Sequence, residues 1–144
     1  MADVTVTSRT NLRNEVRYGD GAQSFITDEP KSLGGDGAGA DPYTLLLAAL
    51  GSCISMTLTL YARRKEWPLE RVTVKLGQRR IHAADCAECE SDPGGFVHRI
   101  ERSVQIEGAL LSAEQRARLH EIAHKCPVHK TLTSEIVIAD LKEE

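Results

Sequence analysis

The sequence predicts an α+β fold in which antiparallel strands enclose one long buried helix, assembled as a homodimer. Three observations predict it: short alternating runs before residue 27 and again between Val72 and Ile106, an uncharged stretch from Pro42 to Ala62, and a capped helical segment ending near Cys126. The 144 residues fit one domain, taken as 1–144, because single cores commonly use roughly 100–150 residues. Hydrophobic residues at 41% and charged residues at 27% are an ordinary folding mixture, which excludes disordered and collagen-like chains. Lys and Arg number 18 against 21 Asp and Glu, interspersed, so no basic face is available to nucleic acid or an anionic membrane. The first residues lack a basic segment followed by a long apolar one, so no secretory signal is visible and a cytoplasmic location is expected.

In residues 1–40, Val4-Thr-Val6, Val16-Arg-Tyr18 and Phe25-Ile26 read as two or three antiparallel strands, with Asp20-Gly21 as a turn signal. The cluster Gly34-Gly35-Asp36-Gly37-Ala38-Gly39 reads as loop. Its Gly-x-Gly-x-Gly spacing lacks the surrounding βαβ unit of a dinucleotide fingerprint.

Asp41-Pro42, a cap residue followed by proline in the first helical position, opens the central helix, 41–66. Its uncharged part would span about 30 Å, enough to cross a bilayer. Thr44, Gly51, Ser52, Ser55, Thr57 and Thr59 dilute its hydrophobicity, and Arg63-Arg64-Lys65-Glu66 ends it as a soluble helix ends, so it reads as a buried core helix. Being apolar on every side, it needs more cover than one small domain supplies, and a second subunit is the natural source.

Beyond Trp67-Pro68, Val72, Val74 and Leu76 share a strand face, and alternation resumes with Ile100, Arg102, Val104 and Ile106. The polar connection at 83–95 makes 71–107 a hairpin with an acidic, cysteine-bearing tip. Ser112-Ala-Glu-Gln115 is a capping box. The helix it starts, 112–126, puts Leu119, Ile122, Ala123 and Cys126 on one inward face, and Ile136-Val-Ile138 reads as a last strand within 134–141.

Two of the four cysteines therefore face inward. Cys53 lies about three turns into the uncharged helix, and Cys126 faces the core. Either alone reads as packing, since free cysteine behaves as a small buried hydrophobe. Two on separate helices of one small core are forced toward the same interior, where a dithiol–disulfide pair is the alternative to packing.

The run Gly39-Ala-Asp-Pro-Tyr-Thr-Leu-Leu-Leu-Ala-Ala-Leu-Gly-Ser-Cys53, with Lys125-Cys-Pro-Val-His-Lys-Thr-Leu132, resembles the OsmC/Ohr family of cysteine-dependent hydroperoxide peroxidases. The resemblance extends from Val16 to Ile138. It implies an intertwined α+β homodimer whose two central helices are enclosed by sheets from both subunits. It also implies that Cys53 is the peroxidatic cysteine and Cys126 the resolving one. The implied substrate is an organic hydroperoxide, and the implied reductant is an external dithiol such as a lipoyl or thioredoxin-like protein, with no resident cofactor. A buried thiol in mid-helix needs a cation to stabilise its thiolate. The family supplies an arginine from the N-terminal hairpin, held by a glutamate just after the helix-opening proline. Arg9, Arg13 and Arg17 lie in that region, and spacing to the Gly21 turn favours Arg13; Tyr43 stands where the family carries glutamate.

Cys86-Ala-Glu-Cys89 is a Cys-x-x-Cys, a spacing used in redox exchange and in chelation. As a zinc half-site it would need two more ligands, from His120 and His124 or from His82 and His98; otherwise it is an exposed acidic tip. The alternative function is thus an OsmC-like dimer binding zinc or a small apolar ligand, with structural or chelating cysteines. His129, beside Cys126, reads as a polar helix-terminal residue. No Gly-x-Ser-x-Gly elbow, His-Glu-x-x-His pair or phosphate loop points to a hydrolase.

Overall fold

A computed structural model describes residues 3–90, 92 and 94–142. Ser91 and Pro93 of the expected hairpin tip lie outside the described residues, as do both residues at each end. The chain packs as two compact units, one ending at Leu46 and one beginning at Leu47.

The N-terminal unit is an antiparallel sheet of β1 (Val4–Ser8), β2 (Asn14–Tyr18) and β3 (Gln23–Thr27), in the order β1-β2-β3. Val16 lies opposite both Val6 and Phe25, and it is the one buried residue of its strand. The β2–β3 connection turns through Gly19, Asp20 and Gly21, at φ values of 61°, 55° and 79°. Asp20 tolerates this left-handed backbone as few other non-glycine residues do.

The glycine-rich segment is more ordered than its composition suggests, because it wraps around a carboxylate. Asp28, 2% exposed, accepts hydrogen bonds from the backbone N–H groups of Glu29 at 2.8 Å, Asp36 at 3.1 Å and Ala38 at 3.0 Å. A Cβ on Gly35 would lie 1.9 Å from the Glu29 carbonyl oxygen, so glycine is required where the loop closes. These loop amides, of the kind that cradle a phosphate elsewhere, are occupied here by the chain's own anion.

Helix α1 (Pro42–Arg64) is capped by Asp41, whose carboxylate accepts from the Thr44 N–H at 3.0 Å and the Thr44 hydroxyl at 2.8 Å. Most of α1 belongs to the second unit, where Leu50, Ile54, Leu58 and Ala62 form a stripe at i, i+4, i+8 and i+12. Against it pack Leu111, Leu119, Ile122, Ala123 and Cys126, with Val72, Val74, Leu76, Ile100, Val104 and Ile106 partly buried around them. Those strand residues belong to the hairpin of β4 (Arg71–His82) and β5 (Phe96–Glu107), paired antiparallel from Arg71↔Glu107 to His82↔Phe96. Helix α1 is long and apolar enough to cross a membrane, yet this stripe is the centre of the core. Other α1 side chains stay largely uncovered within the chain, among them Met56, 64% exposed, and Leu60, 60% exposed.

Helix α2 (Ala113–Ile122) starts with the expected capping box, Ser112 and Gln115 exchanging two 3.0 Å hydrogen bonds. The C-terminal elements differ from the sequence reading. The expected 112–126 helix stops at Ile122 and tightens into a 3-10 turn, Ala123–Lys125, and Cys126 then caps a further helix, α3 (Pro127–Leu132). The strand expected within 134–141 does not form: Val137 and Ile138 are 82% and 94% exposed, and the run meets no sheet edge among the described residues. β-branched residues make a strand only where an edge accepts their backbone groups.

Candidate active site

Two backbone segments bring the inward cysteines together. The α1 stripe fixes the rotation of Cys53, one residue before Ile54, and the extended backbone of Cys126 (φ −66°, ψ 142°) turns the chain from the 3-10 turn into α3. Successive amides of α3 then point at the two sulfurs. The Val128 N–H donates to Cys53 Sγ at 3.4 Å, and the His129 N–H donates to Cys126 Sγ at 3.3 Å. The two thiols are close enough for Cys53 to act on the ionisation of Cys126.

Their exposure differs. Cys126 is fully buried, whereas Cys53, expected to be wholly or nearly buried, is only partly so. Burial pushes the Cys126 thiol above its ordinary range, and the neighbouring Cys53 adds to that rise. The His129 amide and a guanidinium, that of Arg102, pull the other way.

Arg102 is the residue that sequence reasoning did not assign. It occupies the inward row of β5 between Ile100 and Val104, opposite Leu76, so its guanidinium is carried beneath the 3-10 turn. There Nη1 donates to the Ala123 carbonyl at 3.1 Å and Nη2 lies 2.9 Å from His124 Nδ1. The signal was in the alternation itself: a charge in an otherwise apolar inward row must find polar partners inside. His124 in turn sits edge-on to His129, with ring centroids 6.1 Å apart. Burial, then the positive charge of Arg102 and the His124 ring, holds the His129 imidazole below its usual range, favouring its neutral form.

The other sequence candidates have partners and surroundings of their own. Arg13 belongs to the N-terminal unit, where it pairs with Asp36 at 3.3 Å and approaches Asp28 at 3.9 Å. Arg9 and Arg17 both pair with Glu15, the latter at 2.8 Å, and the Arg9 hydrogen bond leads in holding that carboxyl below its ordinary value. Tyr43, in the place of the family glutamate, is 54% exposed. Cys86 and Cys89, for which the sequence left redox exchange, chelation and an exposed tip open, are joined in a disulfide with Cα atoms 5.4 Å apart. Among the described residues, no three His, Cys, Asp or Glu side chains converge as a metal site. His98 faces Gln78 at 2.8 Å, and the His82 ring stacks on Phe96 at 4.3 Å.

Both the sequence and the fold have parallels among known proteins. The family model described as OsmC-like protein matches residues 34–139. No curated protein sequence matches the chain significantly. Among solved structures, an organic hydroperoxide resistance protein from Elizabethkingia anophelis superposes with a TM-score of 0.65 at 24% identity, covering 92% of this chain and 88% of that one. An organic hydroperoxide resistance protein OsmC from Legionella pneumophila gives 0.65 at 20% identity, covering 92% and 89%. An OsmC-like protein of unknown function from Vibrio cholerae gives 0.68 at 15% identity, covering 94% and 95%. At these identities the structures establish a shared α+β fold, and the family match covers most of the sequence. The chain belongs to the OsmC-like protein family.

Proposed function

We propose that this protein is a cysteine-based peroxidase that reduces organic hydroperoxides. The observation that carries the reading is the pairing of Cys53 with Cys126, each sulfur held by an amide of α3. Names of hydroperoxide resistance among structural relatives agree with it.

In this reading the partly exposed Cys53 attacks first. Its thiolate takes the terminal oxygen of ROOH, the O–O bond breaks, the alcohol leaves with a proton, and Cys53 becomes a sulfenic acid. Cys126, kept as a thiol by burial, then attacks the Cys53 sulfur; water leaves and a Cys53–Cys126 disulfide forms. An external dithiol, of the lipoyl or thioredoxin-like class, returns two electrons and two protons, so the cycle uses no resident cofactor. Arg102 supplies positive charge to the pair. A contribution from Arg13 rests on the family resemblance alone.

The working form is a homodimer in the cytoplasm. Its support is the apolar surface each unit leaves bare: Val4, Val6 and Phe25 on the N-terminal sheet, and Met56 and Leu60 on α1. The deciding experiment is consumption of cumene hydroperoxide with dihydrolipoamide as reductant. Cys53→Ser should lose on the order of 100-fold or more in turnover, as loss of a nucleophile does. A Cys53→Ser protein as active as the parent overturns the assignment.

A further inference from the structure

The peroxide reading leaves the Cys86–Cys89 pair unused. We propose that this disulfide is a second redox site, a surface thiol–disulfide exchange centre that accepts electrons from a dithiol. It stands independently of whether Cys53 reacts with peroxides.

The bond does little for the fold. It joins residues three apart in sequence, and stabilisation by loop closure grows with loop length, so this loop gains least. The hairpin is already fastened just beneath it. The ladder runs up to His82↔Phe96, whose rings stack at 4.3 Å, and the Arg80 guanidinium lies 4.1 Å from the Phe96 ring centroid. Above the ladder, the Ala83 N–H donates to the Gly95 carbonyl at 2.9 Å and the Cys86 N–H to the Ala83 carbonyl at 3.2 Å. Opening the bond therefore leaves the turn in place, with both sulfurs still three residues apart.

Access favours exchange as well. Both cysteines are half-buried at the tip of a hairpin, unlike the sealed Cys126. A groove of about 630 Å³ runs beside them, lined by Ala87 and Glu88 from between the cysteines and by Arg79, Arg80, His82 and Asp85. It is large enough to admit a small dithiol or a cysteine-bearing loop. Accessible disulfides with little structural duty are the exchangeable ones.

Proximity also selects the class of reductant. A thiolate attacks one sulfur, the S–S bond breaks, and the other sulfur leaves with the electron pair and takes a proton. The freed cysteine, three residues away, re-attacks the mixed disulfide and expels a monothiol. A dithiol resolves it instead: its second thiol displaces the protein sulfur, the donor departs as a disulfide, and the chain gains two electrons and two protons.

The test uses the full chain carrying Cys53→Ser and Cys126→Ser, so that only the tip can respond. It is equilibrated without denaturant in dihydrolipoamide or in glutathione at equal thiol concentration, quenched in acid, alkylated and peptide-mapped. Dihydrolipoamide should expose two thiols per chain, on Cys86 and Cys89, with the melting temperature unchanged, and glutathione should open at least tenfold less of the pair. Thiols that appear only in denaturant, or a melting temperature that collapses on reduction, would show a structural staple and overturn the proposal. Equal opening by glutathione overturns the dithiol assignment. Peptide mapping of the parent protein under the same conditions gives the same readout should the double variant not fold.

Discussion

The guanidinium of Arg102 is bonded to the carbonyl of Ala123 at 3.1 Å, three residues before the buried thiol of Cys126. One side chain thus fixes the 3-10 turn that delivers Cys126 and places a positive charge near its sulfur. Replacement by Gln removes the charge; replacement by Lys restores it without the two-pronged contact.

Arg102→Gln should slow closure of the Cys53–Cys126 disulfide by about tenfold and cost about 1.5–3 kcal/mol of stability, the scale of a charged hydrogen bond. Arg102→Lys should recover part of the closure rate and little of the stability. Single-turnover trapping of the Cys53 sulfenic acid, with urea melts of the three proteins, checks both.

The rise in the Cys126 pKa sets the pH dependence of that same step. Burial keeps Cys126 protonated at neutral pH, so only a small thiolate fraction is available to attack. Closure should accelerate with pH through the ordinary thiol value near 8.5 and keep accelerating above it. A closure rate that levels off below pH 8 in rapid-mixing experiments contradicts the assignment of Cys126 as the attacking thiol.

Asp28 gives a stability signature on the acid side. The Ala38 amide is the largest of several effects holding its carboxyl below the ordinary value, with the Glu29 and Asp36 amides and Arg13 adding to it. A depressed folded pKa means stability that is fully present above the unfolded value, about 3.9, and is lost as pH falls through the lower folded one. Asp28→Asn should be less stable at pH 7 and show a flatter stability profile below about pH 4, as followed by circular dichroism.

Two leucines on α1 separate the core from the proposed dimer surface. Leu58 is fully buried, so Leu58→Ala should cost roughly 2–5 kcal/mol at any protein concentration. Leu60 is 60% exposed in the single chain. Leu60→Asp should therefore shift sedimentation from dimer to monomer at micromolar concentration, and an unchanged mass would remove α1 from the interface.

Much of the framework was legible in sequence because periodicity and caps are local signals. The absence of charge marked α1, alternation marked the β4–β5 hairpin, and Ser112 with Gln115 marked the start of α2. Helix α3 was missed because six residues are too few to show a period, and Pro127 reads as a stop when it is in fact a first-turn residue. The strand expected at Ile136–Ile138 does not form, since propensity says nothing of whether an edge exists to receive it. Arg102 was visible in its row, yet the polar atoms it satisfies come from a turn 21 residues away.

Cys126 also serves as the cap of α3, its sulfur accepting the His129 amide. In the proposed cycle, bonding that atom to Cys53 Sγ would compete with its hold on the amide, and oxidation would loosen the first turn from Pro127 onward. The redox state of the pair would then be written into the main chain, and faster hydrogen exchange at the amides of Val128 and His129 on oxidation is the expected readout.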